Sequence, residues 1–365
     1  MKNEERVNDS TVIVVGAGIV GASIAYHLAR QGAQVSVLEQ ATPGAGVTGH
    51  SFAWINLADE LPSAIRPLRS RALADYWRLQ EALPALSINW SGALSYTKAT
   101  LDSLPLSDLR CNPSLRWLDR SQVAQLEPNL RAVPERARYA HAEGSLEPIA
   151  STLVLLEGAR AHGAQVFDAT PVLGLQLDGP RVIGVNTAAG TRYADYVVLA
   201  AGCTTPALLA PLGIDLPVHA SPSILIRVDA PPGLVKTLIS NQQMEIREAA
   251  DGSLLMAEDY IAADGPQGPH AIAQQAVASV RQALRGAETI ALRSVNVGQR
   301  PMPVDQLPII GQSADYPGLY LAVMHAGVTL AATVGHLVSQ ELLHGQCCAE
   351  LAPCRPARFT LAPSR

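Results

Sequence analysis

The stretch TVIVVGAGIVGASIAYHLARQGAQVSVLEQ, residues 11–40, decides the fold. Thr11 to Val15 is a short β-branched run, apolar on both faces, as a strand inside a parallel sheet must be. Gly16, Gly18 and Gly21 follow in G-x-G-x-x-G spacing, and a helix then runs to about Gln31. Gly32 stops that helix, and AQVSVLE is a second strand ending at Glu39. Each glycine has a physical task. Gly16 permits the tight strand-to-helix turn, Gly18 lets backbone approach a pyrophosphate, and Gly21 lets helix and strand pack closely. The helix start, at Ile19 and Val20, offers free N–H groups and the positive end of its dipole to that pyrophosphate. Glu39, with Gln40 beside it, lies about twenty residues beyond the glycines, where an acid accepts ribose hydroxyls. A carboxylate there repels a 2′-phosphate and argues against NADP.

Composition excludes several other classes. With 48% hydrophobic and 16% charged residues, the 365-residue chain builds one large core or two moderate ones rather than a disordered segment. The net charge of −5, without a Lys/Arg stripe, argues against nucleic acid. The opening MKNEERVNDS is polar, and TVIVV is too short for a signal sequence or a membrane span. A soluble, cytoplasmic protein with no transmembrane segment is expected. Cys111, Cys203, Cys347, Cys348 and Cys354 show no CxxC spacing and no histidine at metal-ligand distance, so reduced thiols and no metal site are expected.

The glycine motif alone does not distinguish NAD from FAD. In a simple NAD dehydrogenase further βαβ units follow at once. Here a Gly-rich loop, Pro43 to Gly49, comes next, then a helix over 63–83 and mixed short strands and turns over 85–130. Dinucleotide-domain grammar returns only at 144–166, a helix ending at Gly163 followed by a strand. Residues 192–202 form a buried strand running into Ala200, Ala201 and Gly202, small residues suited to close approach of backbone to a ligand. PGLYLAV (317–323) is a further strand and leads into MHAGVTLAATVG (324–335). From there Leu330, Val334, Leu337, Val338 and Leu342 recur at helical spacing, with Gly345 as the stop. The expected fold class is α/β (α+β): a Rossmann-like, glutathione-reductase-like FAD domain from 1–57, 140–215 and 295–350. It is interleaved with a smaller substrate domain, 58–139 and 216–294, on a mixed or antiparallel sheet. Residues 351–365 read as a tail.

GAGIVGASIAYHLARQGAQVSVLEQ, GVTGHSFAWIN, YADYVVLAAG, QRPMPVDQLPIIG and GLYLAVMHAGVTLAATVGHLVSQELL together resemble the D-amino-acid oxidase/glycine oxidase/sarcosine oxidase family of FAD-dependent amine oxidoreductases. The resemblance implies FAD, an amine or amino-acid substrate, and O2 or another electron acceptor. It implies hydride transfer from the carbon beside the nitrogen to flavin N5, giving an imine that water hydrolyses. Little acid–base machinery is then asked of the protein.

The resemblance also places residues. GVTGHSFAWIN (46–56) falls where the family wraps the flavin: Gly46 and Gly49 give backbone freedom, and Thr48 and Ser51 offer hydroxyls. Phe52 and Trp54 either flank the ring or are core aromatics. Dimethylglycine dehydrogenase-like members carry a covalent flavin link near His50; non-covalent FAD is the expectation here, and the His50 link the alternative. Val172 lends a backbone contact to the adenine. Arg300 is similar to the family arginine that holds a substrate carboxylate or lies beside the flavin. His325 stands where glycine oxidase-like members have a second arginine, and Thr329 where monomeric sarcosine oxidase-like members have a lysine, so the usual second carboxylate partner is missing. His325 either orients the substrate or is satisfied by a backbone carbonyl. The N–H groups of Gly327, Val328 and Thr329 face the flavin N1/C2=O edge. Lys236, the sole lysine of 216–294, has no assigned place near the ring. A flavin-binding subunit of a hetero-oligomeric amine dehydrogenase and an NAD-dependent dehydrogenase are the competing readings, and homo- or hetero-oligomers fit equally.

Overall fold

The computed structural model describes residues 9–57, 63–96, 115–260 and 268–359. Residues 97–114, which include Cys111 and part of the 85–130 region, lie outside it. The strands that frame the site are β1 (Thr11–Val15), β2 (Gln34–Leu38), β3 (Gln165–Phe167), β4 (Tyr196–Leu199), β5 (Val218–Asp229), β6 (Glu245–Glu248), β7 (Leu254–Asp259), β8 (Ala291–Pro303), β9 (Ile309–Gln312) and β10 (Leu319–Val323). The helices are α1 (Ile19–Arg30), α2 (Arg66–Ala82), α3 (Pro148–Ala161) and α4 (Gly327–His344).

One sheet has the order β9-β10-β4-β1-β2-β3, parallel except for β9. Its central strand β1 is buried along Val12–Val15, which is why it is β-branched on both faces. On one face α1, α2, α3 and α4 close a continuous apolar core with Leu28, Tyr76, Leu155 and Val334. The other face packs on the antiparallel strands Val172–Asp178, Arg181–Thr187 and Gly190–Tyr193. Because β1 pairs with β2 on one side and β4 on the other, the chain reverses its direction of winding at the C-terminal end of β1. Ligands of open α/β sheets sit in the crevice at such a switch point.

The second sheet has eight strands, in the order β8, β5, β7, β6, Leu238–Ser240, Ala93–Ser95, Arg136–Ala140 and Leu115–Asp119. It is antiparallel apart from the pair Leu238–Ser240 and Ala93–Ser95. One face carries the helix Pro269–Ala283 over a core that includes Ile226, Ile246, Met256 and Val280. The other face looks toward the first sheet, with Phe52, Leu225 and Leu255 in a small apolar cluster.

The elements differ from the sequence reading in particular places. Residues 144–166 open with a short strand, Gly144–Leu146, before Pro148 starts α3, because Gly144–Ser145 pair with Trp54–Ile55. A boundary at 294/295 cuts β8, whose pairing with β5 is unbroken from Ala291 to Pro303 apart from one bulge. A boundary at 139/140 likewise cuts the strand Arg136–Ala140. Residues 351–359 are packed rather than trailing: Leu351 and Cys354 are fully buried against the helical core. No helix among the described residues is long and apolar enough to cross a membrane.

Helix α4 ends at Gly345, which is left-handed (φ +63°) and whose N–H donates to the Glu341 carbonyl at 3.1 Å. A Cβ there would meet nothing within 4 Å, so only backbone strain opposes a larger residue. Gly345→Ala should lower the unfolding free energy in urea by about 1 kcal/mol without changing cofactor content.

Candidate active site

The turn from β1 into α1 is built by three close contacts. Gly16 is left-handed (φ +101°), its N–H donates to the Leu38 carbonyl at 2.8 Å, and a Cβ on it would stand 2.6 Å from the Ala200 carbonyl oxygen. A Cβ on Gly21 would stand 2.0 Å from the Gly16 carbonyl oxygen. Only hydrogen at these positions lets α1 begin where it does. The Glu39 carboxylate ties the turn to the end of β2, accepting from Ala17 N–H at 2.8 Å and Ala41 N–H at 3.0 Å. Thr48 is buried and its hydroxyl accepts from the Ile19 N–H at 3.2 Å, leaving the hydroxyl proton to donate outward.

These elements line a single cavity of about 1380 Å³. Of the positions singled out in the sequence, Gly16, Gly18, Ile19, Val20, Glu39, Gln40, Thr48, His50, Ser51, Val172, Ala200, Ala201, Gly202, Arg300, His325, Gly327, Val328 and Thr329 all face it. Gly21 and Gly49 do not. They are packing positions, and a Cβ on Gly49 would stand 2.8 Å from the Gly44 carbonyl oxygen. Lys236 lines a separate, smaller pocket with Asn89 and Arg247, and its backbone N–H donates to Glu127.

The start of α4 forms the wall opposite the second sheet. Its N-cap, Ala326, is left-handed (φ +59°) and supplies no side-chain cap, so the first N–H groups open toward the cavity. The helix start is fixed from behind. The Tyr76 hydroxyl donates to the Val328 carbonyl, and the Thr329 hydroxyl donates to the Trp54 carbonyl at 2.9 Å. Phe52 and Trp54 both line the cavity; Trp54 donates its indole N–H to Glu143 at 2.9 Å.

The other end of the cavity is charged. From the second sheet Arg300, Glu245, Glu258 and Asp259 face it, and from the helical side Arg69 and His325. Arg300, expected to hold a substrate carboxylate or lie beside the flavin, already has protein partners. It pairs with Asp259 at 2.9 Å, and its Nε and Nη2 donate to the Ser221 carbonyl and hydroxyl at 3.3 and 3.0 Å. Burial lowers the His325 pKa to about 4, helped by the charges of Arg300 and Arg69 and opposed by Asp259, so the ring is neutral at pH 7. Glu245 makes no side-chain hydrogen bond or ion pair among the described residues. Burial, and then the neighbouring charges of Asp259 and Glu258, push its pKa up to about 7.

Reading the sequence did not find Arg69, Asn56, Glu245 or Asp259. Arg69 and its neighbours Arg66 and Arg71 sit in one helix with nothing local to separate them, and only the packing of α2 buries Arg69. The alternation of β6 and β7 marks Glu245 and Asp259 as facing the same way, but not what lies opposite.

The cavity fits a dinucleotide. The glycine contacts leave backbone, not side chain, at the start of α1, and the buried His50 Nδ1 has no partner among the described residues. The family model described as DAO, FAD dependent oxidoreductase, matches residues 11–341, and the chain belongs to that family. It is an FAD-dependent oxidoreductase. Among curated relatives it is 27% identical to a glycine oxidase of Bacillus licheniformis over 342 residues, covering 91% of this chain and 92% of that protein. It is 30% identical to a D-amino acid dehydrogenase of Cereibacter sphaeroides over 405 residues, covering 92% of each. The fold matches the crystal structure of a glycine oxidase from Geobacillus kaustophilus with a TM-score of 0.84 at 23% identity, over 96% of this chain and 99% of that one.

The two perturbed groups give opposite pH dependences. The neutral His325 ring contributes stability that is present above its ordinary pKa of 6.5 and is lost as pH falls toward 4. The Glu245 carboxyl, raised from 4.5, contributes stability that is present below pH 4.5 and is lost as pH rises through about 7. Urea unfolding at pH 7 and pH 5 should therefore show a smaller loss toward acid in His325→Asn than in the wild type, and a larger one in Glu245→Gln. Equal pH slopes in all three proteins would contradict this electrostatic picture.

Proposed function

We propose that the protein oxidises the C–N bond of an amino acid or secondary amine. The observation that carries this reading is one cavity with a dinucleotide-type turn at one end and a charged, half-buried pocket at the other, joined at the start of α4. Gly16, Gly18 and the start of α1 would hold the pyrophosphate, Glu39 the ribose, and Val172 the adenine side. Thr48, Ser51 and His50, with Ala200–Gly202, would line its path toward the flavin ring. The first N–H groups of α4, at Gly327, Val328 and Thr329, would lie against the ring. Bound there, the flavin supplies the two-electron acceptor for hydride from the carbon beside the substrate nitrogen.

The chain's own residues then have three tasks. They exclude water from the inner end of the cavity, where Phe52 and Met324 lie. They hold the substrate between the second sheet and α4. They keep His325 neutral, so that it can accept or donate a hydrogen bond without adding a third positive charge beside Arg69 and Arg300. The resulting imine leaves the site for hydrolysis. The relatives named above are a glycine oxidase and a D-amino acid dehydrogenase, which supports an amino-acid substrate for this chain as well. Both O2 and another electron acceptor fit the reading, because those relatives include an oxidase and a dehydrogenase.

Anaerobic mixing of the purified yellow protein with D-amino acids, N-methyl amino acids, glycine and imino acids should bleach the flavin with at least one of them. No bleaching with the whole panel would contradict the reading. Acid precipitation should release all the yellow colour to the supernatant; colour retained in the pellet would instead place a covalent link at the flavin, with His50 the first residue to replace.

A further inference from the structure

Two arginines reach the charged end of the cavity, and they differ in what holds them. Arg300 is satisfied: its Nε and Nη2, the edge that would grip a carboxylate, already donate to Ser221, and Asp259 neutralises its charge. Arg69 is not. It is 4% exposed, Nη1 donates to the Asn56 side chain at 2.6 Å and toward the Asn56 carbonyl at 3.4 Å, and the buried Nε has no partner among the described residues. Among the described residues no carboxylate lies within ion-pair distance of its guanidinium. Burial lowers its pKa to about 10, with Glu143 partly offsetting, so it still carries its charge at neutral pH.

A buried guanidinium with no carboxylate at ion-pair distance is costly, and a ligand carboxylate is the group that relieves the cost. Arg69 lines the cavity, and its Nη1 bonds to Asn56 leave other N–H groups of the planar guanidinium for a ligand carboxylate. Asn56 is itself tied to the start of α4, since its N–H donates toward the Thr329 hydroxyl at 3.4 Å, so the guanidinium is held relative to the α4 wall.

Resting on the amine-oxidation reading above, we propose that Arg69 is the residue that binds the substrate carboxylate, and that the substrate is therefore an amino or imino acid rather than a simple amine. The Arg300–Asp259 pair acts as a positioning element on the opposite wall.

The test uses the flavin-loaded protein and a matched pair of reductants: the amino acid that bleaches it best, and the amine that lacks its carboxylate. The wild type should prefer the amino acid in anaerobic reduction efficiency by on the order of 100-fold, the size expected for a desolvated charged pair. Arg69→Gln should bring that ratio close to one, chiefly by raising the apparent dissociation constant of the amino acid. Arg69→Lys should retain part of the preference, and Arg300→Gln most of it. A ratio that survives in Arg69→Gln, or that collapses in Arg300→Gln instead, overturns the assignment. Should Arg69→Gln not hold flavin, Asp259→Asn decides: an unaltered ratio supports Arg69, whereas a ratio raised by freeing Arg300 overturns it. Equal reduction by acid and amine in the wild type overturns this assignment alone; no reduction by either kind of compound overturns the amine-oxidation reading with it.

Discussion

The contact on which the site depends is the approach of three backbone segments at the end of β1. The Gly16 carbonyl lies against Gly21, and the Gly16 α-carbon lies against the Ala200 carbonyl, with no room for a methyl group at either glycine. That closeness sets the tilt of α1 against the parallel sheet and leaves the helix start open at the switch point between β2 and β4. Every later feature of the cavity is placed relative to it. Glu39 reaches back to Ala17, Thr48 reaches in to Ile19, and α4 packs along α1 with Gly327 close to Val20. The fold spends a region of low side-chain content on a backbone surface, because backbone N–H groups bind a pyrophosphate without bringing any net charge.

The charged end follows a different logic. There the chain buries ionisable groups rather than removing side chains, and their pairing decides which are available to a ligand. Arg300 with Asp259 is internally neutral, whereas Arg69 and Glu245 have no ion-pair partner among the described residues. A cation and a carboxyl group without ion-pair partners facing one cavity suit a ligand that carries both signs of charge. His325 is held neutral by its burial, with the charges of Arg300 and Arg69 adding to the effect, which makes it a hydrogen-bonding group rather than another anion receptor.

How much of this was legible in the sequence depends on the range of the cause. The β1–α1–β2 unit and α4 were legible because each is specified locally: a β-branched run, glycines at fixed spacing, an apolar stripe and a glycine stop. The wall made by β8 shows in the sequence only as a motif around Arg300, because the pairing of Ala291–Pro303 with Val218–Asp229 joins segments about seventy residues apart and leaves no local sign. Arg69 was invisible for the same reason. Its helix is expected from the sequence, but its burial and the want of a carboxylate at ion-pair distance among the described residues depend on what packs against α2. The sequence likewise could not show that Asp259 reaches Arg300 and cancels its charge.

The measurement that tests the account most directly is a crystal structure of the protein purified with its own flavin and soaked with an unreactive carboxylate such as benzoate. The pyrophosphate should lie against Gly16–Gly18 and the start of α1, the ring edge against Gly327–Thr329, and the carboxylate on Arg69. A flavin ring away from α4, or a carboxylate held by Arg300 with Arg69 still bound only to Asn56, would contradict it.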